Sequence, residues 1–191
     1  MAPKDENELQ HMLKTAVECG HPAAVRYPRG SGLGVPLDED LKEIEIGKAE
    51  LLRDGVEAAL VALGAMVKPA LEAAEILEAE GIDVAVVNAR FAKPLDRALV
   101  GDLARRTRRI VTLEEHARMG GFGSAVLEAI ADLGLDGIRV RVLGIGDEFI
   151  DHGTVEQYHE QFGLRPAQIA QTVREIVQTS VLGTSGRSRD G

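Results

Sequence analysis

Tryptophan is absent, aromatic residues make up only 3% of the 191, and a single thiol, Cys19, is present. With so few aromatics the core has to be built mainly from Ala, Val, Leu and Ile, and a hydrophobic fraction of 45% is ordinary for a globular chain. One cysteine excludes an intramolecular disulfide and any cysteine-rich metal site. The five histidines, at 11, 21, 116, 152 and 159, lack metal-ligand spacing. No apolar run approaches the roughly 18 residues a membrane-spanning helix needs. The first residues, Met1-Ala-Pro-Lys-Asp-Glu-Asn-Glu8, are charged where a signal peptide is apolar, so a cytoplasmic protein without membrane contact is expected. Basic residues are outnumbered and the net charge is −9, which argues against non-specific nucleic-acid binding, because that needs clustered Lys and Arg.

What remains is a chain with two compositional parts. Asp5 can cap a helix whose Leu9, Met12, Leu13, Ala16 and Val17 share a face. Gly20 and Pro22 end it, and residues 23–27 read as a strand stopped by Pro28. Ser31-Gly-Leu-Gly-Val-Pro36 has linker composition, placing a domain boundary at 31–42.

From Ile44 strands and helices alternate. Runs 44–52 and 56–63 flank Arg53-Asp54-Gly55, a hairpin signal because Gly accepts φ > 0. Helix 66–80, strand 83–88, helix 96–105, strand 109–114, helix 123–133 and strand 139–144 follow. Thr154 and Gln157 make a capping box, and Pro166 opens a last helix through Val177. Crossovers of this length demand parallel strands covered on both faces. The expected fold of 43–178 is therefore a three-layer α/β/α sandwich on a mixed five-stranded sheet with one antiparallel edge strand. The Ser/Gly/Arg-rich tail, 179–191, is expected to be disordered.

Few residues are candidates for chemistry. Arg26-Tyr-Pro-Arg29-Gly30 could hold a phosphate, since guanidinium matches phosphate oxygens in a bidentate fork, or could be a surface strand end with one arginine ion-paired. The loop carrying Gly120, Gly121 and Gly123 precedes a helix whose N-terminus favours an anion, yet it is not G-x-G-x-x-G, and the pattern favours a tight turn for close packing. Glu114 and Glu115 point to opposite sides of their strand, which disfavours a catalytic dyad; one is expected to cap or pair locally while the other faces a partner. His116 and His152 lie in loops without a telling partner, and Asp96 has a sufficient role as a helix N-cap.

Five segments occur together in order: 2–9, Ala24-Val-Arg-Tyr-Pro-Arg-Gly30, Ala89-Arg-Phe-Ala-Lys-Pro-Leu-Asp96, Glu114-Glu115 with Gly120-Gly-Phe-Gly-Ser-Ala125, and Phe149-Ile-Asp-His-Gly153. From Met1 to about Val177 they resemble the last third of the 1-deoxy-D-xylulose-5-phosphate synthases of the transketolase family. The R-Y-P-R-G and A-R-F-x-K-P-L-D segments look like those synthases rather than like pyruvate dehydrogenase β subunits. The resemblance implies that 1–30 is the final helix and strand of a pyrimidine-binding domain and 43–178 a whole C-terminal domain. It implies an enzyme that condenses pyruvate with glyceraldehyde 3-phosphate, losing CO₂, to start isoprenoid, thiamine and pyridoxal synthesis. In it Arg29 binds the triose phosphate group and Arg26 supports that strand end.

The same resemblance implies thiamine diphosphate and Mg²⁺ in the full enzyme. The G-D-G…N motif for them, the cofactor-activating glutamate and the active-site histidines have no counterpart in these residues. The chain is then expected to be inactive alone, to need the synthase's N-terminal domains as partner, and to self-associate. It reads as an excised fragment, a truncated reading frame or half of a split enzyme. Segment 1–30 is expected to be disordered or buried against a second copy, because its apolar stripe and strand edge lack neighbours. A separate assembly or regulatory subunit, and a small anion-binding module using Gly120–Gly123, are the competing expectations.

Overall fold

Every residue of Ala58–Ala62 and Val84–Asn88 is buried, which identifies the two strands at the centre of the sheet before any topology is traced. In the computed structural model, which describes residues 1–178, the elements are α1 (Glu6–Glu18), β1 (Glu50–Arg53), β2 (Ala58–Ala62), α2 (Val67–Glu78), β3 (Val84–Asn88), α3 (Arg97–Thr107), β4 (Arg109–Ala117), α4 (Phe122–Asp132), β5 (Arg139–Ile145), α5 (Val155–Gln161) and α6 (Pro166–Gln178). The strand order is β1-β3-β2-β4-β5. All pairs are parallel except β1 with β3. The expected tail, 179–191, lies outside the described residues.

Alternation along β2 sorts the core into two layers, as a strand of period 2 must. Ala58, Leu60 and Ala62 pack with α2 and α6 through Ala70, Leu77, Ile169 and Val173. Ala59 and Val61 pack with α3 and α4 through Leu103, Phe122 and Val126. The architecture is thus the three-layer α/β/α sandwich on a mixed five-stranded sheet expected from the sequence. Asp96 caps α3 by accepting the Leu99 N–H, and Thr154 with Gln157 forms the capping box of α5. Among the described residues no helix is long and apolar enough to cross a membrane.

Two expectations are corrected. Residues 53–55 are not a hairpin turn: β1 is four residues long and pairs with β3, on the far side of it from β2. The reason is burial. A strand buried along its whole length needs a neighbour on each side, and β2 finds parallel ones in β3 and β4, whereas β1 exposes Leu51 and suits an edge. Gly55 does not have positive φ; a Cβ there would lie 2.2 Å from the Val84 carbonyl carbon. Glycine is required where the chain crosses the backbone at the start of β3.

Residues 23–27 are extended but belong to no sheet. The Met1 ammonium donates to the Ala24 carbonyl at 2.8 Å, and the Arg26 N–H to the Met1 carbonyl at 2.9 Å. With only Met1 alongside, this is an isolated pair of bonds rather than a ladder. α1 itself is helical and docked, with Leu13 47% and Val17 80% exposed.

Because the Gly55 contact is with backbone, side-chain repacking cannot relieve it. Gly55→Ala should lower the unfolding free energy by about 2 kcal/mol through overpacking. A urea midpoint equal to that of the parent chain would show that the crossing is not tight.

Candidate functional site

The parallel strands end on one side of the molecule, where ligand groups gather in open α/β sheets. There β4 delivers Glu114, Glu115 and His116, and residues 26–33 of the N-terminal segment lie across them. Two cavities result. One, of about 600 Å³, has Tyr27, Arg29, Lys68, Glu115 and His159 in its lining. The other, of about 680 Å³, has Arg26, Lys93, Glu114, His116, Gly120 and Gly121.

Arg26 and Arg29 therefore face different cavities. Side chains three apart on an extended chain point to opposite sides, so the R-Y-P-R spacing separates the two guanidinium groups. Arg26 donates from Nη1 to the Glu115 carbonyl at 3.3 Å. Arg29 is exposed on the loop. His116 is exposed beside Glu114, and His152 is exposed on the loop before α5 without reaching either cavity lining.

Glu114 is 1% exposed, and its carboxylate accepts the N–H groups of Phe122 and Gly123, both at 2.8 Å. The first-turn donors of α4, which would otherwise receive an anion, are thus held by the chain's own carboxylate. Gly121 and Gly123 fit this packing directly. A Cβ on Gly121 would lie 2.2 Å from the Ala117 carbonyl oxygen, and one on Gly123 2.4 Å from Val142. Burial pushes the Glu114 carboxyl up from its ordinary value, against the pull of the two N–H donors, of His116 and of Arg26. Glu115, on the other face, meets His159 Nε2 at 2.7 Å and so ties α5 to the end of β4.

Sequence reasoning missed a third group. Glu8 is 2% exposed; its Oε1 accepts from Asn88 Nδ2 at 2.8 Å and from Arg90 Nε at 2.7 Å, and its Oε2 accepts the Lys4 N–H. Arg90 also reaches Glu50 on β1 at 2.9 Å. One signal was available: Arg90 stands two residues past a fully buried strand, where a cation needs an anionic partner. Among the described residues no group of His, Cys, Asp and Glu is placed to hold a metal ion.

The family model for the transketolase C-terminal domain matches residues 47–169. The chain belongs to that family. The transketolase C-terminal domain here comprises the sheet and its helices, while α1 and the Arg26–Arg29 loop precede the matched residues. Curated relatives extend the similarity over them. The 1-deoxy-D-xylulose-5-phosphate synthase of Heliobacterium modesticaldum is 57% identical over 178 residues, 92% of this chain and 27% of the relative. That of Desulforudis audaxviator is 53% identical over 189 residues, 99% of this chain and 29% of the relative. The chain thus spans under a third of the length of these relatives. A solved structure titled a split gene transketolase, inactive beta4 tetramer, superposes with a TM-score of 0.78 at 35% identity, covering 92% of this chain and 56% of that one.

Replacing Glu114 by Gln in this transketolase C-terminal domain keeps the shape but sets an amide NH₂ against a backbone donor. The loss should be about 2 kcal/mol, the cost of an unsatisfied buried donor, read from urea unfolding. The pH dependence has a definite sign. A carboxyl whose native value is raised takes up its proton more readily in the folded state. Its contribution is full below the ordinary value of 4.5 and is lost as pH rises through the native value. Wild type should therefore lose stability as pH rises from 4.5 through the native value, relative to the Gln variant. Parallel pH profiles for the two proteins would contradict this.

Proposed function

We propose that this chain supplies the C-terminal part of a 1-deoxy-D-xylulose-5-phosphate synthase, the enzyme that condenses pyruvate with glyceraldehyde 3-phosphate and releases CO₂. The observation that carries the reading is the 57% identity over 92% of the chain to a synthase of which it spans 27%. In the assembled enzyme Arg29 binds the triose phosphate, and Arg26 supports it by fixing the loop to the Glu115 carbonyl. Its exposure at the rim of a 600 Å³ cavity supports that role, because a guanidinium there can meet a phosphate from outside.

The residues present do not fit thiamine diphosphate and Mg²⁺. Among the described residues no carboxylate cluster could hold the ion, and the α4 N-terminus that could face a diphosphate is filled by Glu114. No catalytic step is assigned to this chain. The domains that bind the cofactor are its partner, and α1 offers them Leu13 and Val17 as an apolar docking face. Alone, the chain is inactive and contributes fold, assembly and one phosphate contact.

A second reading has an observation of its own. The superposing split gene transketolase is titled an inactive beta4 tetramer, so a chain of this fold self-associates without turning over. On that reading the present chain is an assembly subunit that forms homo-oligomers and docks onto a separate catalytic chain. Of the loop, the exposed Gly120, with the half-buried Glu115, then belongs to a subunit interface, while Gly121 and Gly123 serve the packing within the chain.

The purified chain should form no deoxyxylulose phosphate from pyruvate and glyceraldehyde 3-phosphate with thiamine diphosphate and Mg²⁺ supplied. Adding a chain that carries the other synthase domains should restore turnover. In that reconstituted enzyme Arg29→Ala should raise the KM for the triose phosphate about 10- to 100-fold, the value of one or two charge-assisted bonds, and leave that for pyruvate near its original value. Turnover by the chain alone, or an equal effect on both substrates, would overturn the respective claim.

A further inference from the structure

Residues 33–44 run along α1 as a strap whose N–H groups are caught by side chains of that helix. Glu6 accepts from Leu33 at 2.9 Å, Gly34 at 2.5 Å and Val35 at 3.0 Å. Asn7 Oδ1 accepts the Asp38 N–H, His11 Nδ1 the Lys42 N–H, and Thr15 Oγ1 the Ile44 N–H. With Nδ1 an acceptor, His11 carries its proton on Nε2 and donates it to Asp38. These acceptors recur along one side of the helix and follow the strap in order.

Three successive N–H groups closing on one carboxylate form a nest for an anion, and the anion is the chain's own. The backbone is cut to fit. A Cβ on Gly32 would lie 2.7 Å from the Glu6 carboxylate, and Gly34 has a φ of +83°. The N–H of Glu6 itself and those of Leu33, Gly34 and Val35 hold its carboxyl below the usual value, so the clamp stays ionised across neutral pH.

Arg29 lies between two such anchors. Before it, Arg26 is tied to Met1 and Glu115; after it, the next fixed residue is Leu33 on Glu6. Among the described residues, 27–32 make no hydrogen bond of their own. Release of the second anchor would free the loop at one end.

We propose that Glu6 is a positioning residue for the Arg29 loop, its carboxylate clamping the backbone of 33–35 and so fixing where the guanidinium stands at the cavity rim. The meaning of this for phosphate rests on the role given to Arg29 above; the clamp itself does not.

Amide hydrogen exchange and backbone order parameters on the full chain test it. In Glu6→Ala the amides of Leu33, Gly34 and Val35 should exchange at least about tenfold faster. The order parameters of 29–35 should fall toward the flexible range, below about 0.6. The Val86 and Val111 amides should not change. Should the Ala variant lose α1, visible at Met12 and Thr15, Glu6→Gln is read instead; it keeps one acceptor oxygen and should give a smaller change of the same sign. Unchanged exchange at 33–35 overturns the clamp, and faster exchange with unchanged order at 29–32 overturns the positioning. Titration of wild type with inorganic phosphate, followed at the Arg29 Nε–H, reports separately on the phosphate role. A flat titration removes phosphate binding by this chain alone, the role in the assembled enzyme being read from the Arg29→Ala kinetics above, while the clamp is decided by exchange alone.

Discussion

The carboxylate of Glu8 has been taken out of water, and the placement of everything before residue 47 follows from how it is compensated. A buried carboxylate is tolerated only with close, well-oriented partners, and removing one partner of such a pair costs about 3–5 kcal/mol. Glu8 finds them in Arg90 and Asn88 at the end of β3 and in the Lys4 N–H. Arg90 adopts a φ of +58°, a region a non-glycine residue occupies only when its surroundings compel it. The strained backbone and the buried charge are two ends of one contact. Together they fix the rotation of α1 about its axis.

That rotation explains a helix that otherwise looks inside out. Its periodicity puts Leu9, Met12, Leu13, Ala16 and Val17 on one face; of these Met12 is buried as expected, but the other residues buried along the helix are Glu8, His11 and Thr15. Polar docking through Glu8 forces Leu13 and Val17 outward. The same rotation lines up Glu6, Asn7, His11 and Thr15 under the strap. The helix thus docks on the transketolase C-terminal domain through its polar side and leaves Leu13 and Val17 exposed.

Much of the sheet domain was legible because its signals are local. β2 and β3 are short apolar runs, the helices carry apolar residues at 3.6 spacing, and Asp96 and Thr154 announce the starts of α3 and α5. The Arg53-Asp54-Gly55 signal failed because two different requirements both select glycine. A hairpin needs it for positive φ, a crossing for the missing Cβ, and only the packed neighbour, Val84, distinguishes them. The pair Arg26 and Arg29 was read as one possible phosphate site, but period 2 sends the two side chains toward separate cavities. The strap was legible only as linker composition. Its conformation is written in acceptors on α1, 27 to 31 residues earlier in the chain, and no periodicity rule connects an acceptor to a distant N–H.

The acid excess of the chain takes on a structural meaning in this light. Glu6 receives the strap, Glu114 the first turn of α4, and Asp5 the Glu8 N–H of α1. Asp96 receives Leu99 and Ala49, and Glu57 the Asp83 N–H before β3. In each case a side-chain carboxyl group accepts from backbone donors that no ladder or helix interior can reach, at helix starts, a strand approach and a linker. An unpaired backbone N–H is costly, and a carboxylate offers several lone pairs to one cluster of donors. The described residues form five strands, six α-helices and a long strap, and so have many such ends. A net charge of −9 then reflects in part how the chain finishes its segments, and those carboxylates need no cationic ligand to account for them.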